Sequence, residues 1–77
     1  PSLDPDLLRT FAVIAETGTL SRAAARLGVT QAAISLQVKR LERVVECALL
    51  ERSWRGVVLT PRGTRLLAHA QRILQAH

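Results

Sequence analysis

Apolar residues recur every three or four positions near the start of the chain, at Leu3, Leu7, Phe11 and Ile14. Because an α-helix has about 3.6 residues per turn, this spacing places the four side chains on one face. Asp4 is a favourable N-cap, Pro5 suits the first helical position, and Gly18 interrupts the pattern. We therefore predict a helix over about residues 5–17.

Two further helices are predicted, each beginning after a threonine N-cap. The second follows Thr19 and ends at Gly28, because glycine readily takes the left-handed conformation found after helix ends. The third follows Thr30 and runs to about residue 45. Apolar stripes support both helices: Leu20, Ala23, Ala24 and Leu27 in the second, and Ile34, Val38, Leu41 and Val45 in the third.

The periodicity changes after the third helix. Short segments at 49–52 and 57–59 flank a polar stretch that contains glycine, which predicts a β-hairpin with its tip near residues 53–56. Thr60 and Pro61 repeat the signal of a cap followed by proline, so we predict a fourth helix from this point. Its apolar side consists of Leu66, Leu67, Ala70, Ile73 and Leu74.

The second and third helices and the turn between them have the pattern of a helix-turn-helix over about residues 19–38. An ordinary helical hairpin has a similar pattern, so the spacing alone leaves both interpretations open. The outer face of the third helix favours the first one. It carries small polar, small apolar and cationic side chains and no acid near its N-terminal end. Such a face can enter the major groove without repelling phosphate.

Individual residues on this face match the edges of base pairs. Gln31 suits an adenine edge, and Ser35 can pair with several edges. Ala32 and Leu36 are apolar and suit the methyl group of thymine. The alternative is that Leu36 packs against another protein.

Charge is distributed unevenly along the chain. The chain has 77 residues, enough for one small domain, with 11 Lys and Arg against 6 Asp and Glu and a formal net charge of +5. Residues 1–20 carry three acids and one arginine, whereas residues 21–77 carry ten basic residues and three acids. Ten of the eleven basic residues are arginine, whose planar fork suits phosphates and base edges. The distribution favours a polyanionic partner, although a solvated basic surface would have the same composition.

Several classes of protein are excluded by composition. No apolar run approaches the roughly 18 residues needed to span a bilayer. Cys47 is the only cysteine, so neither an internal disulfide framework nor a cysteine-based zinc site is expected, and a reducing, cytosolic environment fits best. We find no Ser–His–Asp set, paired carboxylates or glycine-rich phosphate loop. We therefore predict no enzyme, no cofactor and no metal site.

The predicted hairpin adds a second basic element. Arg52 and Arg55 flank its tip, with Ser53 and Trp54 between them. A hairpin of this kind beside a recognition helix is typical of a wing, which reaches phosphates or the neighbouring minor groove. We expect Trp54 to support the loop by packing; the alternative is that it contacts DNA.

From Leu7 to Leu67, the chain resembles the DNA-binding domain of LysR-type transcriptional regulators. The resembling residues lie in segments 7–11, 16–24, 29–31, 34–38, 40–42, 49–52 and 59–63 and at Leu27. The resemblance implies a mainly α-helical fold, a winged helix-turn-helix of three helices and a short β-hairpin wing followed by a long linker helix. It implies domain bounds of 3–60 for the DNA-binding part, with the wing at 49–59, and 61–77 for the linker and dimerisation helix. In full-length members a ligand-sensing domain follows, so we expect this chain to be a fragment and any small-molecule effector to bind in that further domain.

The residues and the resemblance together yield a set of predicted sites. The predicted DNA-binding residues are Ser21, Arg22, Thr30, Gln31, Ala32, Ser35, Leu36, Lys39, Arg52, Ser53 and Arg55. The predicted dimerisation residues are Leu66, Leu67, Ala70, Ile73 and Leu74. The alternative for the fourth helix is an end that frays in isolation.

Four positions depart from the family pattern. Leu36 replaces a frequent arginine or other polar residue, which predicts altered base specificity and not lost binding. Ala32 and Leu50 replace a frequent proline and phenylalanine. Glu46 lies where glycine usually follows the third helix. If that position is left-handed, glutamate costs about 1–2 kcal/mol there; otherwise the helix continues for a further turn.

These observations predict a sequence-specific DNA-binding domain of a transcriptional regulator. We expect it to bind an interrupted palindrome in double-stranded DNA as a homodimer, with the third helix in the major groove and the wing on the backbone or minor groove. The expected location is the cytoplasm, at the nucleoid, without a membrane partner. The alternative is a winged-helix module that binds protein through Leu36 and the fourth helix.

Overall fold

The structure is a computed structural model that describes residues 3–75. Four helices and one hairpin follow one another along the chain: α1 (Pro5–Thr17), α2 (Leu20–Leu27), α3 (Gln31–Val45), β1 (Leu50–Ser53), β2 (Gly56–Leu59) and α4 (Pro61–Gln75). The predicted mainly α-helical fold with a short hairpin is confirmed. The final two residues of the predicted linker helix, 76 and 77, lie outside the described residues.

The helices begin at side-chain caps. Asp4 Oδ1 accepts a hydrogen bond from the N–H of Asp6 at 2.9 Å. Threonine hydroxyls act in the same way at the three other starts, where Thr19, Thr30 and Thr60 accept from the N–H groups three residues later. Each cap satisfies an N–H group that has no partner inside its helix. The starts predicted from the sequence are therefore confirmed.

Two connected groups of side chains form the core. One contains Ile14, Ala23, Ala24, Ile34 and Val38, and it holds α1, α2 and α3 together. The other contains Leu8, Phe11, Leu41, Leu49 and Ala70, and it holds α1 and α3 against the base of the hairpin and α4. Thr10 links α1 to α3 by donating its hydroxyl to Gln37 Oε1 at 2.6 Å. The helix-turn-helix is thus fixed to the rest of the fold through α1.

The end of α3 resolves the question raised by Glu46. This residue has φ 58° and ψ 37°, and among the described residues it is the only one other than glycine with a positive φ. Its N–H donates to the carbonyl of Glu42, and the chain then leaves the helix. The left-handed alternative is therefore correct, and the helix does not continue for another turn.

The hairpin has a two-residue turn formed by Trp54 and Arg55. Antiparallel pairing runs from Leu50 with Leu59 to Ser53 with Gly56. The positive φ in this hairpin falls on Gly56, at 139°. A Cβ atom on Gly56 would overlap the carbonyl oxygen of Gly18, which also accepts a hydrogen bond from Val57 at 3.0 Å. Glycine is therefore required where the hairpin packs against the connection between α1 and α2.

A second set of contacts fixes the base of the hairpin. The N–H of Leu49 donates to Glu42 Oε2 of α3 at 2.7 Å, and its carbonyl accepts from Thr60 at 3.0 Å. The hydroxyl of Thr60 donates to the carbonyl of Ala48 at 2.7 Å. A Cβ atom on Gly63 would overlap the Leu49 carbonyl, so the first turn of α4 lies directly against this segment. The hairpin is held between α3 and α4 at its base and near α2 at its far end.

Candidate nucleic-acid interface

The outer face of α3 is open to solvent along its first two turns. Gln31 and Ala32 are exposed, and Leu36 is 59% exposed. Ser35 is half-buried, and Lys39, one turn further on, is exposed. The groups predicted for base reading, one amide, one hydroxyl and two apolar side chains, therefore lie on one surface with Lys39, which is predicted to contact phosphate.

The adjoining turn and the start of α2 are also exposed. Thr30 is on the surface, and its hydroxyl accepts from the N–H of Ala33 at 3.1 Å. Ser21 and Arg22 are exposed in the first turn of α2. The N–H groups of a first helical turn carry a partial positive charge, which suits a phosphate. Both residues thus lie on a part of α2 that favours an anion.

The wing, which is the hairpin formed by β1 and β2, presents its polar residues at its tip. Arg52, Ser53 and Arg55 are all exposed. Ser53 Oγ accepts a hydrogen bond from the N–H of Arg55 at 3.3 Å, which limits the motion of the turn. The tip is therefore a basic loop of defined shape.

A groove of about 300 Å³ separates α3 from the wing. The side chains along it come from α2, α3 and both strands of the wing: Leu20, Ser35, Val38, Lys39, Glu42, Leu50, Glu51, Arg52 and Val57. Because Arg52 pairs with Val57 across the hairpin, it is on the wing face that is turned toward this groove. The groove thus brings Ser35 and Lys39 of α3 onto one continuous surface with Arg52.

The predicted DNA-binding cations lack ionic partners in the part of the chain that the structure describes. Its two ion pairs are Arg9 with Asp6 and Arg26 with Glu16, both at 3.0 Å and both solvent-exposed. None of the four predicted cations, Arg22, Lys39, Arg52 and Arg55, takes part in either pair. Glu42 and Glu51 line the same groove as Lys39 and Arg52 but form no ion pair with them, so the four cations remain available to phosphate.

Trp54 lies exposed at the tip of the wing. The prediction that it supports the loop by packing is wrong, because the residue is 87% exposed. A two-residue turn points its side chains away from the core, and this signal was available in the sequence. The contact that Trp54 makes is with its neighbour Arg55, whose guanidinium carbon lies 4.4 Å from the ring centroid.

The predicted dimerisation residues occupy different positions on α4. Leu66, Leu67 and Ile73 are partly buried against the core of the same chain, and Leu74 is half-buried. Ala70 has no exposed surface, so its assignment to a dimer surface is wrong for this fold. The reason is that α4 turns this small residue toward α1, where a close approach of the two helices buries it.

Sequence reasoning missed three residues that position the wing. Gly56 and Gly63 allow close backbone contacts, and Glu42 accepts a hydrogen bond from the segment before β1. The glycines were visible in the sequence as breaks in the apolar pattern. Their partners, Gly18 and Leu49, are distant in the chain and were not visible in that pattern.

Comparison with known proteins identifies the family. The profile described as "Bacterial regulatory helix-turn-helix protein, lysR family" matches residues 5–64, which is most of the chain. The chain belongs to the LysR family. It is a LysR-type helix-turn-helix DNA-binding domain, and the family is one of transcriptional regulators and not of enzymes.

Named relatives and solved structures agree with this membership. The HTH-type transcriptional regulator DgdR of Burkholderia cepacia is 63% identical over 76 residues, which cover 99% of this chain and 26% of that protein. The transcriptional activator AllS of Klebsiella pneumoniae is 52% identical over 69 residues, 90% of this chain and 26% of that protein. The structure of the CbnR_DBD–DNA complex matches with a TM-score of 0.91 and 40% identity, covering 96% of this chain and 85% of that one. The LysR domain thus spans about a quarter of the length of the curated relatives it matches.

Residues 3–75 of the LysR domain show neither a candidate membrane helix nor a candidate metal site. No helix in that range is long and apolar enough to cross a membrane. Within the same range, His, Cys, Asp and Glu side chains do not gather into any group of three that suits a metal ion.

Proposed function

We propose that this LysR domain binds double-stranded DNA in a sequence-specific manner, with α3 in the major groove and the wing on the backbone or in the minor groove. One observation carries the proposal. The exposed face of α3, which has no acid near its N-terminal end, is continuous through the groove with Arg52 of the wing. A surface that combines base-pairing groups with cations free of ionic partners is suited to read bases and to neutralise phosphates together.

The roles of the individual residues follow from their positions in this proposal. Four residues of α3 face the base edges: Gln31, Ala32, Ser35 and Leu36. The phosphates at either side of α3 are contacted by Ser21, Arg22, Thr30 and Lys39. At the wing, the phosphates are contacted by Arg52, Ser53 and Arg55. Structural relatives solved with DNA, the CbnR_DBD complex and the BenM_DBD/catB site 1 complex, support the proposal because they share this fold with TM-scores of 0.91.

We further propose that the domain acts as a homodimer, with residues 61–77 as its linker and dimerisation helix. Leu66, Leu67, Ile73 and Leu74 are the large apolar residues of α4, and each keeps some exposed surface. Pairing of two α4 helices about a two-fold axis would place two α3 helices about one DNA turn apart. The expected target is therefore an interrupted palindrome.

The biological setting belongs to the same proposal. The matched relatives extend well beyond the region that aligns with this chain. We propose that a small-molecule effector binds such a further domain, and that the protein acts on the nucleoid in the cytoplasm, where its DNA partner lies.

Selection of binding duplexes from a random DNA pool tests the proposal directly. The unmodified domain is expected to enrich an inverted repeat, and Gln31→Ala and Ser35→Ala are expected to blunt or rewrite that repeat. Arg9→Ala is the control, since Arg9 is an exposed residue of α1 that is paired with Asp6 and lies outside both the proposed DNA surface and the proposed dimerisation helix. Retention of all duplexes without enrichment would contradict base reading by α3. Absence of any retention would favour the alternative module that binds protein through Leu36 and α4.

A further inference from the structure

The tip of the wing presents an indole that the proposed DNA contacts do not include. Trp54 is 87% exposed and is the only tryptophan in the chain. Scattered exposed apolar residues are common on protein surfaces, so the exposure alone indicates nothing. The indole differs from such residues because its surroundings hold it in a defined orientation.

One contact involves the indole itself, and two hydrogen bonds restrain the hairpin that carries it. The Arg55 guanidinium lies 4.4 Å from the ring centroid and covers one face of the indole. The N–H of Arg55 donates to Ser53 Oγ, which restrains the turn itself. Hydrogen bonding of Val57 to Gly18 then fixes the wing relative to the start of α2. The remaining face of the indole is therefore presented to solvent from a restrained support.

Charge indicates what kind of partner fits this surface. Arg52 and Arg55 flank Trp54, and no acid lies between them. Arg52 also lines the groove shared with Ser35 and Lys39 of α3, so the tip continues the proposed DNA surface. A basic tip next to a base-reading helix complements a nucleic-acid backbone better than it complements an apolar protein groove.

We propose that Trp54 is an additional DNA contact, with its free face packed on a deoxyribose at the edge of the groove that the wing reaches. The inference rests on the proposed function and adds the residue and the chemical group that it touches. Intercalation between base pairs would need both faces of the ring, and Arg55 already occupies one. Arg55 keeps its place over the indole and donates to the adjoining phosphate, as a charged group stacked on an aromatic ring can do.

The single tryptophan permits a direct test by fluorescence. The unmodified domain is titrated with a mixed-sequence duplex of roughly 30 base pairs, about three helical turns, at low salt. Binding is followed independently by the anisotropy of a dye on the duplex. We expect tryptophan emission to shift to shorter wavelength and acrylamide quenching to fall at least twofold as the duplex is bound, because the exposed face of Trp54 becomes covered.

Inorganic polyphosphate provides the control for charge alone. It neutralises the arginines but offers no sugar face, so it is expected to leave the acrylamide quenching of Trp54 unchanged. An equal loss of quenching with polyphosphate would overturn the proposal, because the change would then come from Arg55 and not from packing on a sugar. Duplex binding without any change in Trp54 emission would also overturn it while leaving the proposed function intact. Failure of the duplex to bind would contradict the proposed function itself, and the inference with it.

Affinity measurements on variants supply a second readout. Trp54→Ala is expected to weaken duplex binding about three- to tenfold. Trp54→Phe is expected to weaken it by a smaller factor, since Phe retains an aromatic face. Val58→Ala is the matched control, because Val58 is an exposed apolar wing residue, 50% accessible, on the strand away from the tip. Melting temperatures close to that of the unmodified domain would show that the variants fold. Equal affinities for Trp54→Ala and Val58→Ala would contradict the contact.

Discussion

Glu46 is the residue at which this chain stores backbone strain. Its φ of 58° places a side chain with a Cβ in the left-handed region at the end of α3. For residues other than glycine this region costs about 1–2 kcal/mol. The carboxylate also lies at the C-terminal end of a helix, where the helix dipole disfavours negative charge. Both effects act against the folded state and are independent of DNA.

Glu46→Gly is therefore expected to stabilise the domain. The relief of strain exceeds the additional flexibility of glycine in the unfolded chain, so we expect a net gain of about 0.5–1 kcal/mol in the free energy of unfolding. Urea denaturation with an unchanged m-value measures this gain. Glu46→Ala separates the two causes, because alanine removes the charge and keeps the strained conformation. An equal gain for both variants would show that charge, and not backbone conformation, is responsible.

At the scale of elements, the wing depends on contacts made by its backbone. Gly56 approaches the carbonyl of Gly18 so closely that no Cβ fits between them. Because the obstacle is backbone and not the end of a flexible side chain, the wing itself has to move to admit one. Arg52, Arg55 and Trp54 all move with it, so the proposed contacts of the wing with DNA depend on Gly56, which is not itself proposed to touch DNA.

Gly56→Ala is expected to detach the wing from the start of α2 while the three-helix core remains folded. We expect a loss of about 1–3 kcal/mol in stability, a reduced affinity for duplex DNA, and faster hydrogen exchange of the Val57 amide, which loses its partner Gly18. Gly28→Ala is the matched control. Gly28 also has a positive φ, at 70°, but a Cβ there meets nothing within 4 Å, so the variant has strain without collision. Retained protection of Val57 in Gly56→Ala would contradict this explanation.

The contrast between helices and wing shows what the sequence can predict. Helix starts were predictable because Thr19, Thr30 and Thr60 cap N–H groups only three residues away. The outer face of α3 was predictable for the same reason, since helical periodicity is local. Contacts across the fold were not predictable, as in the burial of Ala70 against α1. Trp54 was misjudged because hydrophobicity suggested packing, whereas its place in a two-residue turn determined its exposure.

At the scale of the whole molecule, charge divides the chain into two parts. Residues 1–20 have a net charge of −2, from three acids and Arg9, whereas residues 21–77 have a net charge of +7. Arg9 is paired with Asp6 on α1, and Arg26 is paired with Glu16. The cations outside these two pairs lie on α2, α3, the wing and α4, all within residues 21–77. The electrostatic field of the molecule therefore favours contact with a polyanion through residues 21–77 and not through α1.

Because of this division, a cation in residues 21–77 and a cation on α1 are expected to contribute differently to the salt dependence of DNA binding. Each phosphate contact contributes about −0.9 to the slope of log K against log salt, so loss of Arg52 is expected to reduce the slope by about one unit for each domain bound. Arg9→Ala removes the same charge from α1 and is expected to leave the slope unchanged. Anisotropy titrations of a labelled duplex over a range of salt concentrations measure both variants. At a Debye length of about 10 Å a distant charge is screened, so only a contact changes the slope. Equal reductions for Arg9→Ala and Arg52→Ala would mean that net charge, and not a contact at the wing, holds the domain on DNA.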